Sequence, residues 1–154
     1  MSESPVVTAR WSGKQVRFEV TGPRGQTVTV DEPVPLGDDT GMDPAELLLG
    51  ALSTCSAISA LSLLQKMRQP VRSLEVRAHG PRQDDWPKAF TAIHLEFTVG
   101  GDGPFDPALV EKAVNLAHSR YCPVSGTIQL GQNGCRVDAT VSIVEGPSDL
   151  KLPS

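Results

Sequence analysis

The chain has 154 residues, 14 Lys and Arg against 18 Asp and Glu for a net charge of −4, and three cysteines. That length favours a single domain over residues 1–154, and the charged and apolar fractions are globular, which suggests neither a disordered chain nor a coiled coil. With no basic block, no N-terminal signal and an odd number of cysteines, the chain is expected to be cytoplasmic, with no nucleic acid, no membrane and no structural disulfide framework.

The N-terminal third reads as strands. Val6–Trp11 is followed by Ser12-Gly13, then by Gln15–Val20, which alternates polar and apolar residues. After the turn Gly22-Pro23-Arg24-Gly25, Thr27–Val30 alternates again. This is a half-buried meander of three antiparallel strands. Residues 31–42, with two prolines and two glycines, form a connecting loop.

Asp43-Pro44-Ala45-Glu46 signals a helix start. Aspartate caps, proline tolerates the first helical position, and Glu46 completes a capping-box pattern. The helix runs to about Arg68 and stops before Gln69-Pro70. Leu47, Leu48, Leu49, Ala51, Leu52, Ile58, Leu61 and Leu64 make it apolar or small on every side, so it is expected to be enclosed as core rather than to cross a membrane.

Strands are predicted around Leu74–His79 and Phe90–Val99. In the second, His94, Glu96 and Thr98 share one face while Ile93, Leu95, Phe97 and Val99 share the other. Asp106-Pro107 opens a helix through about Tyr121, Cys122-Pro123 interrupts it and can begin a short one, and Arg136–Val144 closes the chain as a strand. The order is βββ-α-ββ-α-β, an α+β arrangement whose core spans about residues 6–144 with a frayed tail from Gly146. Six short strands and one further helix scarcely cover a helix that is apolar all round. A second copy of the chain would complete the covering, and an obligate homodimer is expected.

Two cysteines carry the chemistry. Cys55 lies deep in the apolar helix, where a free thiol is ordinarily a small buried hydrophobe. Cys122 heads a helix, where the positive end of the dipole favours thiolate, although a plain capping position before proline explains it equally well. Cys135 reads as incidental. Glu46 lies nine residues before Cys55, roughly 13–14 Å along the helix axis, too far for direct contact within one chain. The histidines at 79, 94 and 118 make no metal-ligand spacing with each other or with a cysteine, and no P-loop, Gly-x-Ser-x-Gly or Gly-x-Gly-x-x-Gly occurs.

The stretch Asp43-Pro44-Ala45-Glu46-Leu47-Leu48-Leu49-Gly50-Ala51-Leu52-Ser53-Thr54-Cys55 resembles the first cysteine motif of the OsmC/Ohr family. Ala117-His118 through Cys122-Pro123-Val124-Ser125 resembles its second. The runs Leu63–Val71 and Arg120–Val124 look most like a less characterised OsmC-like branch. The resemblance implies curved antiparallel sheets wrapped around a long central helix, in an intertwined homodimer with active sites at the interface. It implies a peroxidase in which Cys55 is peroxidatic and Cys122 resolving, with organic hydroperoxides as substrates. No cofactor is implied beyond an external dithiol reductant, such as a lipoyl protein. The family's peroxidases set an arginine from a glycine-rich turn beside the thiolate, paired with a glutamate early in the helix. Arg24 is the candidate here, with Arg17 and Arg10 as alternatives. Glu46 is the glutamate, one place nearer the cysteine than usual, where the chain has Ala45. A non-enzymatic alternative, a binder of small apolar ligands or a redox sensor, uses the same cavity-forming helix.

Overall fold

A computed structural model describes residues 3–130 and 134–146. The tail expected to fray from Gly146, and Gln132 and Asn133 of the turn before Cys135, fall outside the described residues, with Gly146 itself the last one described. The chain divides into two compact units, Met1–Leu48 and Leu49–Ser154.

The first unit is the expected meander, β1 (Thr8–Trp11), β2 (Phe18–Thr21) and β3 (Thr27–Val30). Trp11 pairs with Phe18, and Phe18 with Val30. The second strand begins three residues later than the alternation suggests. Gly13 (φ 84°) and Gln15 (φ 43°) take the left-handed region, so the connection turns there instead of running on. The Ser12 N–H donates to the Arg17 carbonyl at 3.0 Å and closes that turn.

The loop after β3 folds around Asp31, which is 1 % exposed. Its carboxylate accepts from the Thr40 hydroxyl at 2.6 Å and from the backbone N–H groups of Glu32 (2.9 Å), Asp38 (3.2 Å) and Thr40 (3.2 Å). The Thr40 hydroxyl, and then these backbone donors, hold its pKa down at about 2 against the cost of burial. Gly37 belongs to this knot, because a Cβ there would run into the Glu32 carbonyl and the Asp31 carboxylate.

Helix α1 (Pro44–Lys66) begins with the predicted capping box. The Glu46 N–H donates to Asp43 at 2.8 Å and the Asp43 N–H donates to Glu46 Oε2 at 2.9 Å. It ends as Arg68 takes a φ of 56° and the Gln69 N–H folds back onto the Leu64 carbonyl at 2.9 Å, a Schellman-type closure. The helix is long and apolar enough to cross a bilayer. Leu52, Ser56, Ala60 and Leu64, spaced four apart, are instead buried.

In the second unit β4 (Val71–His79), β5 (Ala92–Gly101) and β6 (Arg136–Glu145) form one sheet in that order. β4 and β5 are antiparallel, but β6 runs parallel to β5, so this sheet is mixed and not antiparallel throughout. The cause is the connection between them. Three helical segments, α2 (Pro107–Leu116), a π-helical turn (Ala117–Tyr121) and α3 (Pro123–Gln129), return the chain to the end where β5 began. The helix predicted through Tyr121 therefore changes pitch at Ala117. Asp106 caps α2 as expected, accepting from Ala108 (3.0 Å) and Leu109 (3.3 Å).

The core of this unit joins the apolar face of β5 (Ile93, Leu95, Phe97, Val99) to Leu52, Ala60 and Leu64 of α1, to Val110, Ala113 and Val114 of α2, and to Cys122 and Val137. Each large apolar side chain so buried contributes about 1.5–3 kcal/mol. The rest of α1 is not covered within one chain: Ile58 is 70 % exposed, and Leu48 and Leu61 are also exposed.

Candidate functional site

Cys55 sits midway along α1 on the border of its buried stripe, half-covered, while Cys122 is 3 % exposed. Both are free thiols and both belong to the core of the second unit. The fold brings them together. Burial pushes the Cys55 thiol above its ordinary 9.0, the Cys122 thiol raises it further as a hydrogen-bond partner and as a like charge, and the Val124 backbone N–H pulls it down. Cys55 therefore shares its core with a second sulfur.

A π-helical turn leads into Cys122. A wider turn carries extra backbone between Ala117 and Cys122, both of them buried, before the chain restarts as α3. Cys122 is extended at φ −89° and ψ 106°, and its Sγ accepts the Ser125 N–H at 3.3 Å as the cap of α3. The capping geometry open to it from sequence is thus present, on a sulfur that lies in the same core as Cys55. Ser125 is fully buried, and its Oγ accepts from Gln129 Nε2 at 2.9 Å.

The other candidates lie in the first unit. Arg24 is exposed in the β2–β3 turn and Arg10 is exposed on β1; neither forms an ion pair among the described residues. Arg17 is committed, pairing with Asp38 at 3.0 Å and Asp31 at 3.7 Å. Glu46 is exposed and its carboxylate closes the α1 capping box, the structural role offered for it above.

Sequence spacing missed one grouping. His79 and His94 pair across β4 and β5 with ring centroids 5.5 Å apart. His79 Nε2 lies 3.1 Å from Glu96, and His94 contacts Asp138 through Nδ1 and Thr140 through Nε2 at 3.2 Å. Arg136 reaches Asp138 at 2.9 Å. Hydrogen bonding from His79 lowers the Glu96 pKa and from His94 that of Asp138, while burial lowers that of His118. Alternation along β5 already put His94 and Glu96 on one face, but their partners depend on the β4 register and the parallel β6. Among the described residues no three His, Cys, Asp or Glu side chains are placed to hold a metal ion. A groove of about 380 Å³ between α2 and β6, lined by Glu111, Asn115, Thr140 and Ile143 among others, includes neither thiol.

The comparisons with known proteins bear on the family and the fold. Protein YhfA of Escherichia coli K12 is 39% identical over 95 residues, covering 62% of this chain and 70% of that protein. An OsmC-like protein from Mycoplasma pneumoniae superposes with a TM-score of 0.79 at 18% identity, over 94% of this chain and 100% of the other. The organic hydroperoxide resistance protein OhrB of Bacillus subtilis superposes with a TM-score of 0.59 at 19% identity, over 91% and 98%. Residues 37–138 match the family described as OsmC-like protein, a span that holds both thiols, and the chain belongs to that family.

Proposed function

We propose that this protein is a dithiol peroxidase for organic hydroperoxides, with Cys55 as the attacking thiol and Cys122 as the resolving one. The observation that carries the reading is that one core holds two thiols drawn from distant parts of the chain, Cys55 packing against the buried cluster that includes Cys122. The sulfur of Cys55 attacks the distal oxygen of ROOH, the O–O bond breaks, and Cys55 sulfenic acid and ROH form. The sulfur of Cys122 then attacks Cys55 and water leaves, carrying the proton of the Cys122 thiol. An external dithiol, of which a lipoyl protein is one form, reduces the disulfide by exchange and is itself oxidised. No other cofactor takes part.

The neighbours described as organic hydroperoxide resistance proteins support this reaction class. Arg24 is the candidate for stabilising the Cys55 thiolate, and Glu46 for orienting that arginine, both by resemblance. The uncovered apolar side of α1 supports a homodimer, and a reducing cytoplasm is part of the same proposal. The test is a single-turnover titration of the reduced protein with cumene hydroperoxide. Loss of two thiols with a fall of about two mass units supports the cycle. Thiols that stay reduced overturn it.

A second reading rests on the raised pKa of Cys55, which leaves the thiol protonated near neutrality. On that reading the exposed apolar residues of α1 hold a small apolar ligand. Native mass spectrometry separates the two: a co-purified lipid on a chain without peroxidase activity favours the binder.

A further inference from the structure

We infer that Asp138, His94 and Thr140 form a second reactive group, a carboxylate–imidazole–hydroxyl relay that hydrolyses small carboxylic esters held in the groove between α2 and β6. This goes beyond the peroxidase reading and uses neither Cys55 nor Cys122.

The sheet register builds the relay. His94 on β5 lies opposite Asp138 on β6, and Glu96 lies opposite Thr140. Residues two apart on a strand share a face, so Asp138 and Thr140 both reach the His94 ring from one strand. His94 contacts Asp138 Oδ1 through Nδ1, and its Nε2 lies 3.2 Å from Thr140 Oγ1. The other carboxylate oxygen, Asp138 Oδ2, accepts from Arg136 at 2.9 Å. His79, from β4, stands edge-on to the His94 ring with centroids 5.5 Å apart.

These partners place the protons. An ionised carboxylate only accepts, so a neutral His94 carries its proton on Nδ1 and leaves Nε2 as an acceptor. Thr140 then donates its hydroxyl proton to Nε2, the contact a general base makes with a nucleophile. A hydrogen bond from His94, and after it the charges of His94, Arg136 and His118, hold the Asp138 carboxyl below the usual carboxylate range against the cost of burial. Asp138 is thus a positioning residue, and Thr140 and His94 do the chemistry.

Thr140 is exposed, and it also lines the groove of about 380 Å³. Val114, Val141 and Ile143 give the groove apolar walls, and Glu111 and Asn115 line it from α2. The Asn115 amide supplies N–H donors for a developing oxyanion, and the Glu111 carboxylate disfavours an anionic substrate. A neutral ester with a short acyl chain suits walls of this kind and a volume of this size.

Thr140 Oγ1 attacks the ester carbonyl carbon while His94 Nε2 takes its proton. The oxyanion collapses, the bond to the leaving oxygen breaks, and His94 gives that oxygen the proton, releasing the alcohol. Water then attacks acyl-Thr140 and loses a proton to Nε2. The acyl bond breaks, Thr140 Oγ1 recovers the proton from His94, and the carboxylic acid leaves. One ester and one water become one acid and one alcohol.

The test applies p-nitrophenyl acetate to the full chain to measure turnover. An alkyl fluorophosphonate, which phosphonylates activated hydroxyls, then locates the nucleophile by peptide mass mapping. The adduct is expected on Thr140. Thr140→Val, which replaces only the hydroxyl by a methyl, should lower hydrolysis at least about tenfold, and Thr140→Ser should restore it. All these chains keep the cysteines, so acylation of thiols cannot produce the difference. Asp138→Asn should lower kcat about 100-fold or more with KM unchanged, because its amide can donate to Nδ1 and reverse the tautomer. An adduct elsewhere, no adduct at all, or equal hydrolysis by wild type and Thr140→Val overturns the relay. An unchanged kcat in Asp138→Asn overturns the role given to Asp138.

Discussion

The Cys55 thiol in the middle of α1 packs against the buried cluster that holds the Cys122 thiol at the head of α3, although sixty-seven positions separate them in the chain. Neither helix alone creates that contact. Leu52 and Ala60, either side of Cys55, pack into the same core as Cys122, which places both sulfurs in that core.

Cys55→Ser should abolish consumption of cumene hydroperoxide. Cys122→Ser should permit one turnover and then stall at the sulfenic acid. Cys135→Ser should leave turnover within about twofold of wild type, since its thiol faces the Arg136 carbonyl and burial alone raises its pKa. Stopped-flow peroxide assays with a dithiol reductant check all three, and a fully active Cys55→Ser would end the peroxidase reading.

The pKa of Cys55 sets a pH dependence. Because the folded value lies above 9.0, alkylation by iodoacetamide should rise with pH and reach half its limit above that value. Cys122→Ala removes the second cause of the upward shift, so the midpoint should fall but stay raised, burial being the larger cause. A midpoint unchanged by this substitution would mean that the two thiols do not interact.

Arg24→Ala should slow peroxide consumption about tenfold or more if its guanidinium stabilises the reacting sulfur, while Arg10→Ala should not. Equal rates in the two variants would remove Arg24 from the site.

Asp31 gives the first unit an acid limit. Its pKa falls from 3.8 in the unfolded chain to about 2 in the fold, so its stabilising effect is complete above 3.8 and is lost as pH drops towards 2. Asp31→Asn should lower the Tm at pH 7, because its amide N–H groups would face the donors of Thr40, Glu32 and Asp38, and should flatten this pH dependence. Thermal melts from pH 2 to 7 measure both effects.

Ile58→Glu places a charge on the uncovered side of α1, where a second copy would bury it. Sedimentation should show wild-type dimer and variant monomer, with circular dichroism unchanged. A wild-type monomer would remove the homodimer from the proposal.

Local signals in the sequence determined a good deal. Asp43-Pro44 with Glu46, and Asp106-Pro107, marked helix starts because a cap involves residues only two or three apart. Alternation along β5 identified its buried face because side-chain direction follows from the backbone repeat alone. The tertiary structure decided everything that depended on distant pairing. The parallel docking of β6, the convergence of His79, His94 and Asp138, and the placement of Cys55 and Cys122 in one core each join segments far apart in the chain. Such contacts are set by how apolar faces pack together, and no single segment carries that information.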